Sequence, residues 1–109
     1  MRTDAVREDV DSFVDKLGRT VKVGDRIAYG HALDRCAGLR IGKVLRIQRG
    51  KDWRDREFWS IRVQGIDDEW SFKEPRLCKL GTLGFPERIV KVTGLLPESY
   101  EALLDGGES

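Results

Sequence analysis

From residue 21 the chain alternates apolar and polar side chains with the two-residue period of a half-buried strand. Val21 and Val23 flank Lys22, and Ile27 and Tyr29 resume the alternation after a Gly24-Asp25 step. That step predicts a turn, because glycine tolerates positive φ and an aspartate can accept from the backbone ahead of it. "GHALDRCAG" (30–38) reads as a loop. "LRIGKVLRIQR" (39–49) reads as the next strand, in which Gly42 marks a bulge or a close backbone approach. A charged loop, "RGKDWRDRE" (49–57), leads into "FWSIRVQG" (58–65), with Trp59, Ile61 and Val63 on one face and Phe58, Ser60 and Arg62 on the other. A turn is expected at Asp67-Asp68, then a short strand through Trp70 and Phe72 that Pro75 ends. "PERIVKVTG" (86–94) gives the last strand. "LPESYEALL" (96–104) reads as a short helix with Pro97 in its first turn and Tyr100, Leu103 and Leu104 on one side. "DGGES" (105–109) reads as a frayed tail.

The beginning of the chain has two readings. Val6, Val10, Phe13, Val14 and Leu17 follow helical spacing, with Thr3 available as an N-cap. "FVDKLGRTVKV" also reads as two short strands around a turn that Asp15 opens and Gly18 closes. The hairpin is favoured from Ser12 onward, which leaves residues 2–11 as a short helix or loose chain. The expected organisation is therefore a flexible or short helical segment over 1–11, a β domain over 12–94, and a short helix with a disordered tail over 95–109. Five or six short strands separated by turn signals point to a mostly-β fold, a small antiparallel barrel or sandwich. Closing the sheet would remove edges that so small a domain cannot otherwise protect. The expected core is Val23, Ile27, Tyr29, Val44, Ile61, Val63, Val90 and Val92.

With 109 residues the chain supports one domain with one core. Charged residues make up 36% of it, well above the roughly 25% usual in globular domains, yet the formal net charge is only +1. Bulk charge thus names neither nucleic acid nor membrane as a partner. No apolar run approaches the ~18 residues of a membrane span. The acidic N-terminal stretch is unlike a signal peptide, so a cytoplasmic location is expected. Cys36 and Cys78, without CxxC spacing, read as two incidental thiols in a reducing compartment. The distribution of charge is more informative. Residues 34–62 carry nine basic and four acidic side chains, whereas residues 95–109 carry four acidic and no basic ones. Acidic ends frame a basic middle.

"VGDRIAY", followed by "GLRIGKVLRI" and "FWSIRV", resembles the SH3-like small barrels, KOW-type modules among them. Gly24-Asp25, Gly38, Gly42 and Val44 carry the likeness in order. The longer pattern, "FVDKLGRTVKVGDRIAYG" with a terminal "RIVKV", also resembles small bacteriophage proteins of unknown function, over about residues 12–93. The resemblance implies an SH3-like barrel of five to six short strands and a viral source, hence a host cytoplasm. Such barrels bind nucleic acid, peptides or proteins, so it implies no single activity. The loop over 49–57 is longer than in KOW segments and alternates in charge, which argues against a ribosome- or polymerase-associated role.

Candidate chemistry is sparse. His31 is the one histidine, and two distant cysteines cannot complete a metal site or a nucleophile system around it. Asp67, Asp68 and Glu69 lack a second acidic group at a cation-ligand spacing. The twelve glycines sit at scattered turns and make no phosphate loop. No enzyme, cofactor or metal is expected. Trp53 differs: it sits among Arg49, Lys51, Arg54 and Arg56, where no period-two face would take it inward. Either the ring folds back over the barrel mouth while Asp52, Asp55 and Glu57 pair with the bases, or it stands free as an anchoring or stacking group. The functions in play are a protein-binding module, including one that a phage directs at a host protein, a nucleic-acid binder using the basic 34–62 segment, and a virion structural or assembly component.

Overall fold

The computed structural model describes residues 6–33, 36–67 and 75–106. They form strands β1 (Val6–Asp9), β2 (Ser12–Val14), β3 (Thr20–Lys22), β4 (Arg26–Leu33), β5 (Cys36–Lys51), β6 (Glu57–Asp67), β7 (Arg76–Leu83) and β8 (Ile89–Lys91), and helix α1 (Glu98–Gly106). A 3-10 turn over Pro86–Arg88 leads into β8. The fold is mostly β with one short C-terminal helix.

The strand β5 organises the rest. One of its edges pairs with β6 from Ile41 to Lys51. The other pairs first with β4, from Cys36 to Lys43, and then with β1, from Gln48 to Lys51. Between those two partners Val44 exchanges backbone bonds with Gly24 and Asp25, and the Val10 N–H donates to the Ile47 carbonyl at 3.0 Å. The ladder order is β7-β6-β5-β4-β8, with β2 and β3 as a separate two-stranded sheet. No ladder joins the end strands β7 and β8 among the described residues, so the sheet is open rather than a closed cylinder.

The register sorts side chains onto two faces. On the inner face Val44 lies opposite Val63 and Ile47 opposite Ile61, and these pack with Ile27, Tyr29 and Ile89. Phe13 and Val21 from the β2–β3 hairpin complete this core. Trp59 packs against it, half-buried, with its ring centroid 6.2 Å from that of Phe13. Each fully buried Ile or Val contributes roughly 1.5–3 kcal/mol. The outer face differs between its halves. Near one end Ala28 and Ile66 are buried on it, and α1 packs on β6 and β7 with Leu104 buried. The other half is open and polar.

Two glycines let a ring lie flat on the inner face. Gly42 and Gly65 face each other across β5 and β6, and a Cβ on Gly42 would sit 2.8 Å from the Gln64 carbonyl oxygen. A Cβ on Gly65 would strike the Tyr29 hydroxyl. The close approach expected at Gly42 is therefore real, and the bulge lies just beyond it, between Val44 and Arg46. Burial, with Cys78 adding and Arg40 opposing, pushes the Tyr29 phenol up to about 12, so it stays neutral at ordinary pH.

Asp15 joins the small sheet to the large one. Its Oδ1 accepts the N–H groups of Leu17 and Arg19, each at 2.9 Å, closing the turn that Gly18 allows with φ +82. Its Oδ2 accepts the Lys91 N–H of β8 at 2.8 Å. The Lys16 N–H donates to the Ile89 carbonyl alongside. The side chain is fully buried. Burial alone would raise its pKa, but the three N–H donors and the Arg19 guanidinium reverse that and hold it below the ordinary value.

Several expectations need correction. Residues 6–9 are a strand, not a helix or loose chain, because the β5 edge at 48–51 offers a ladder that isolated helical spacing does not. The loop expected over 30–38 is largely ladder: β4 runs to Leu33 and β5 starts at Cys36, so pairing overrides the weak strand preference of Gly and Ala. Val23 is 54% exposed because it sits in the turn beside Gly24 (φ +94) rather than in a strand. In β8 it is Ile89 that faces the core, while Val90 lies opposite Ala28 on the outer face and Val90 and Val92 are only half-buried. Asp105 and Gly106 belong to α1, not to a tail. The expected strand through Trp70 and Phe72 and the tail at 107–109 lie outside the described residues, as does the side chain of His31.

Candidate functional site

The β5–β6 hairpin turns through residues 52–56, and its backbone is fixed by Asp52. The Asp52 N–H donates to the Arg56 carbonyl at 3.0 Å, and the Asp55 N–H donates back to the Asp52 carbonyl at 2.9 Å. Asp55 takes φ +64, the left-handed residue that completes a type I turn with a bulge. The Asp52 carboxylate also accepts the N–H groups of Arg54 and Arg56, at 2.8 and 3.0 Å. These bonds, that of Arg56 first, hold its pKa below the ordinary value, with the two arginine charges adding to them.

That turn sets Trp53 and Arg54 at its two central positions. Trp53 is 69% exposed, so the ring does not fold back over the sheet. The Arg54 guanidinium lies over it, 4.4 Å from the ring centroid. The other bases of the loop are paired within the hairpin. Arg49 meets Glu57 at 2.7 Å and leans over Trp59 at 5.7 Å, Lys51 meets Asp55 at 3.6 Å, and Arg56 meets Asp52 at 3.6 Å. The five candidate residues thus divide. Trp53 and Arg54 form an exposed pair at the tip, while Arg49, Lys51 and Arg56 brace the strands beneath it. Among the described residues, no carboxylate pairs with Arg54.

The hairpin leads into a shallow groove. Phe58, Trp59, Val14, Phe85 and Pro86 line an open depression of about 700 Å³ with Lys16, Glu57 and Glu87 at its rim. Val14 and Phe85 are both more than half exposed, and so is Leu17 in the adjoining turn. Sequence reading missed this apolar strip because Val14, Trp59 and Phe85 come from three separate segments. It also missed a second, basic groove of about 400 Å³ on the open half of the outer face, lined by Arg7, Arg46, Gln48, Ser60, Arg62 and Thr82. The alternation that put Ser60 and Arg62 outward was the available signal; the strand β1 and the cross-strand register were not.

Asp67 pairs with Arg76 at 3.8 Å, which accounts for the one described member of the Asp67–Glu69 run. No cluster of three or more His, Cys, Asp or Glu side chains that could hold a metal occurs among the described residues. No helix among them is long and apolar enough to cross a membrane.

A family model, "Domain of unknown function (DUF7205)", matches residues 13–67, just over half of the chain. The chain belongs to the DUF7205 family. The matched span of this DUF7205 protein runs from β2 into the last residue of β6, so it contains Asp15, the hairpin tip and the bulge at Val44. The strands β1, β7 and β8 and helix α1 lie outside it. No curated protein and no solved structure matches the chain.

Proposed function

We propose that this DUF7205 protein is a non-catalytic binding module that anchors a partner protein through the tip of its β5–β6 hairpin. The observation that carries the reading is Trp53, 69% exposed and stacked with Arg54 on a turn whose backbone is already fixed. Tryptophan and arginine are the residues most enriched at interface hot spots, and a fixed turn spares the ordering entropy that a mobile loop would lose on binding. The apolar strip of Val14, Leu17 and Phe85 offers a continuation of the same surface. Internal pairing of Arg49, Lys51 and Arg56 leaves little loop charge for phosphates, which favours a protein over nucleic acid at this tip. The resemblance to small phage proteins extends the reading to a host-directed module acting in a host cytoplasm.

The test is affinity capture from lysate, with and without nuclease, comparing wild type and Trp53→Ala. An exposed ring has little burial to lose, so the variant should melt within about 2 °C of wild type. Its affinity for the captured protein should fall by roughly 2 kcal/mol or more. Unchanged capture, or capture that nuclease abolishes, refutes the reading.

A further inference from the structure

The open half of the outer face carries an arrangement that folding does not require. Arg46 on β5 and Arg62 on β6 lie directly opposite each other. Like charges in that position destabilise a sheet. Asp9 on β1 offsets one of them, holding the Arg46 guanidinium at 2.8 and 3.3 Å. Among the described residues nothing similar offsets Arg62, and no carboxylate pairs with Arg62 or Arg7. The rest of the groove floor is Gln48, Ser60 and Thr82, all uncharged side chains that both donate and accept. At its end the Arg7 guanidinium stands 5.6 Å from the centroid of Phe58.

We propose that this face binds single-stranded nucleic acid, a site separate from the hairpin tip. Arg62 and Arg7 take phosphates, with Arg46 behind them paired to Asp9. The three neutral side chains bond sugar or base edges, and the Phe58–Arg7 pair offers a stacking platform, as aromatic and guanidinium planes do in single-strand channels. The width of the face argues against its insertion into the major groove of a duplex. It crosses β1, β5, β6 and β7, three interstrand spacings or roughly 14 Å, more than the ≈ 12 Å major groove admits.

Fluorescence anisotropy with a labelled oligothymidylate of about 15 nucleotides tests it, over about 50 to 200 mM salt. Two phosphate contacts predict a roughly sevenfold loss of affinity over that range, at a logarithmic slope of about 0.7 per contact. Arg62→Gln and Arg7→Gln should each flatten the slope by about 0.7, and Arg62→Lys should keep it. Asp9→Asn, by releasing Arg46, should tighten binding and steepen the slope. Trp53→Ala should change nothing. The proposal fails if the oligonucleotide does not bind, or if a duplex of the same length binds as tightly. It fails too if Arg62→Gln leaves the slope intact while its melt is unchanged, or if binding is lost with Trp53→Ala instead.

Discussion

Replacing Asp15 with alanine should destabilise this domain by about 3 kcal/mol, for reasons that can be worked contact by contact. The carboxylate is fully buried and accepts three backbone N–H groups, from Leu17, Arg19 and Lys91. A hydrogen bond to a charged acceptor contributes about 1.5–3 kcal/mol. The Leu17 and Arg19 donors lie in an exposed turn and regain water, so each counts for about 1 kcal/mol. The Lys91 donor is held between β8 and the hairpin and counts for about 2. Removing the buried charge returns its desolvation cost, which brings the sum of about 4 down to about 3. At about 4 °C per kcal/mol for a domain of this size, the melting midpoint should fall by about 12 °C.

Asp15→Asn separates the two halves of that figure. It keeps an oxygen for the turn but sets an amide NH₂ against the Lys91 N–H, so it should cost about 2 kcal/mol. The pH dependence gives an independent check. An unfolded aspartate titrates near 3.8, and Asp15 titrates lower in the fold. Its contribution is therefore complete well above that value, declines as pH falls toward the depressed folded pKa, and is gone below both. Urea melts of wild type should lose stability between about pH 5 and 3 more steeply than those of Asp15→Ala. A variant melting within about 2 °C of wild type, or with the same acid slope, would sink the account of Asp15 as the tie between the two sheets.

Three further outcomes follow from the packing. Gly65→Ala should lower stability by about 1–3 kcal/mol, because its Cβ would meet the Tyr29 hydroxyl and lie 3.0 Å from both Arg40 Cδ and Cys78 Sγ; adding Tyr29→Phe should recover part of the loss in a thermal melt. Arg26→Lys should loosen α1, because the guanidinium donates to Glu101 and Asp105 on the helix and to the Gly24 carbonyl, and a lysine cannot reproduce that fork; limited proteolysis should then cut within residues 95–106. Asp52→Ala should lower the melting midpoint only slightly, because its two donors lie in an exposed turn and regain water, but should speed amide exchange at Arg54 and Arg56 and weaken partner capture in step with Trp53→Ala.

The inner face of this fold could be read from the chain because its period is two and its turns carry glycine at positive φ. Ile27, Tyr29, Val44, Ile61 and Val63 are buried as that pattern implies. The outer face could not be read. Ala28 and Ile66 are buried beside inward neighbours because α1 covers that half, and a strand buried on both sides loses its alternation. The strand β7 was hidden for a related reason. Leu77, Leu80 and Leu83 recur every third residue, and the register slip between Gln64 and Ile66 puts the first two outward and the last inward. At the tip, composition singled out Trp53 but could not choose between a packed and a free ring. Asp52 decided it by fixing the turn, and that role depends on a chain reversal no local count reveals.

The length of β5 explains why both proposed surfaces exist. Sixteen residues of strand extend about 50 Å, whereas the nine residues of α1 reach only about 14 Å. The helix reaches under a third of that length, so among the described residues it leaves the rest of the outer face and the tip uncovered. The paired charges there have a folding role. Arg49–Glu57, Lys51–Asp55 and Arg56–Asp52 line the hairpin margins with charge, which discourages pairing with a second copy edge to edge. Asp9 does the same for β1 while holding Arg46. Once those roles are assigned, Trp53 and Arg54 at the tip and Arg62 and Arg7 on the face remain, among the described residues, outside the core and outside any ion pair. Their exposure adds nothing to the core, and Arg62 opposite Arg46 works against it, so the two proposed surfaces would give all four a role.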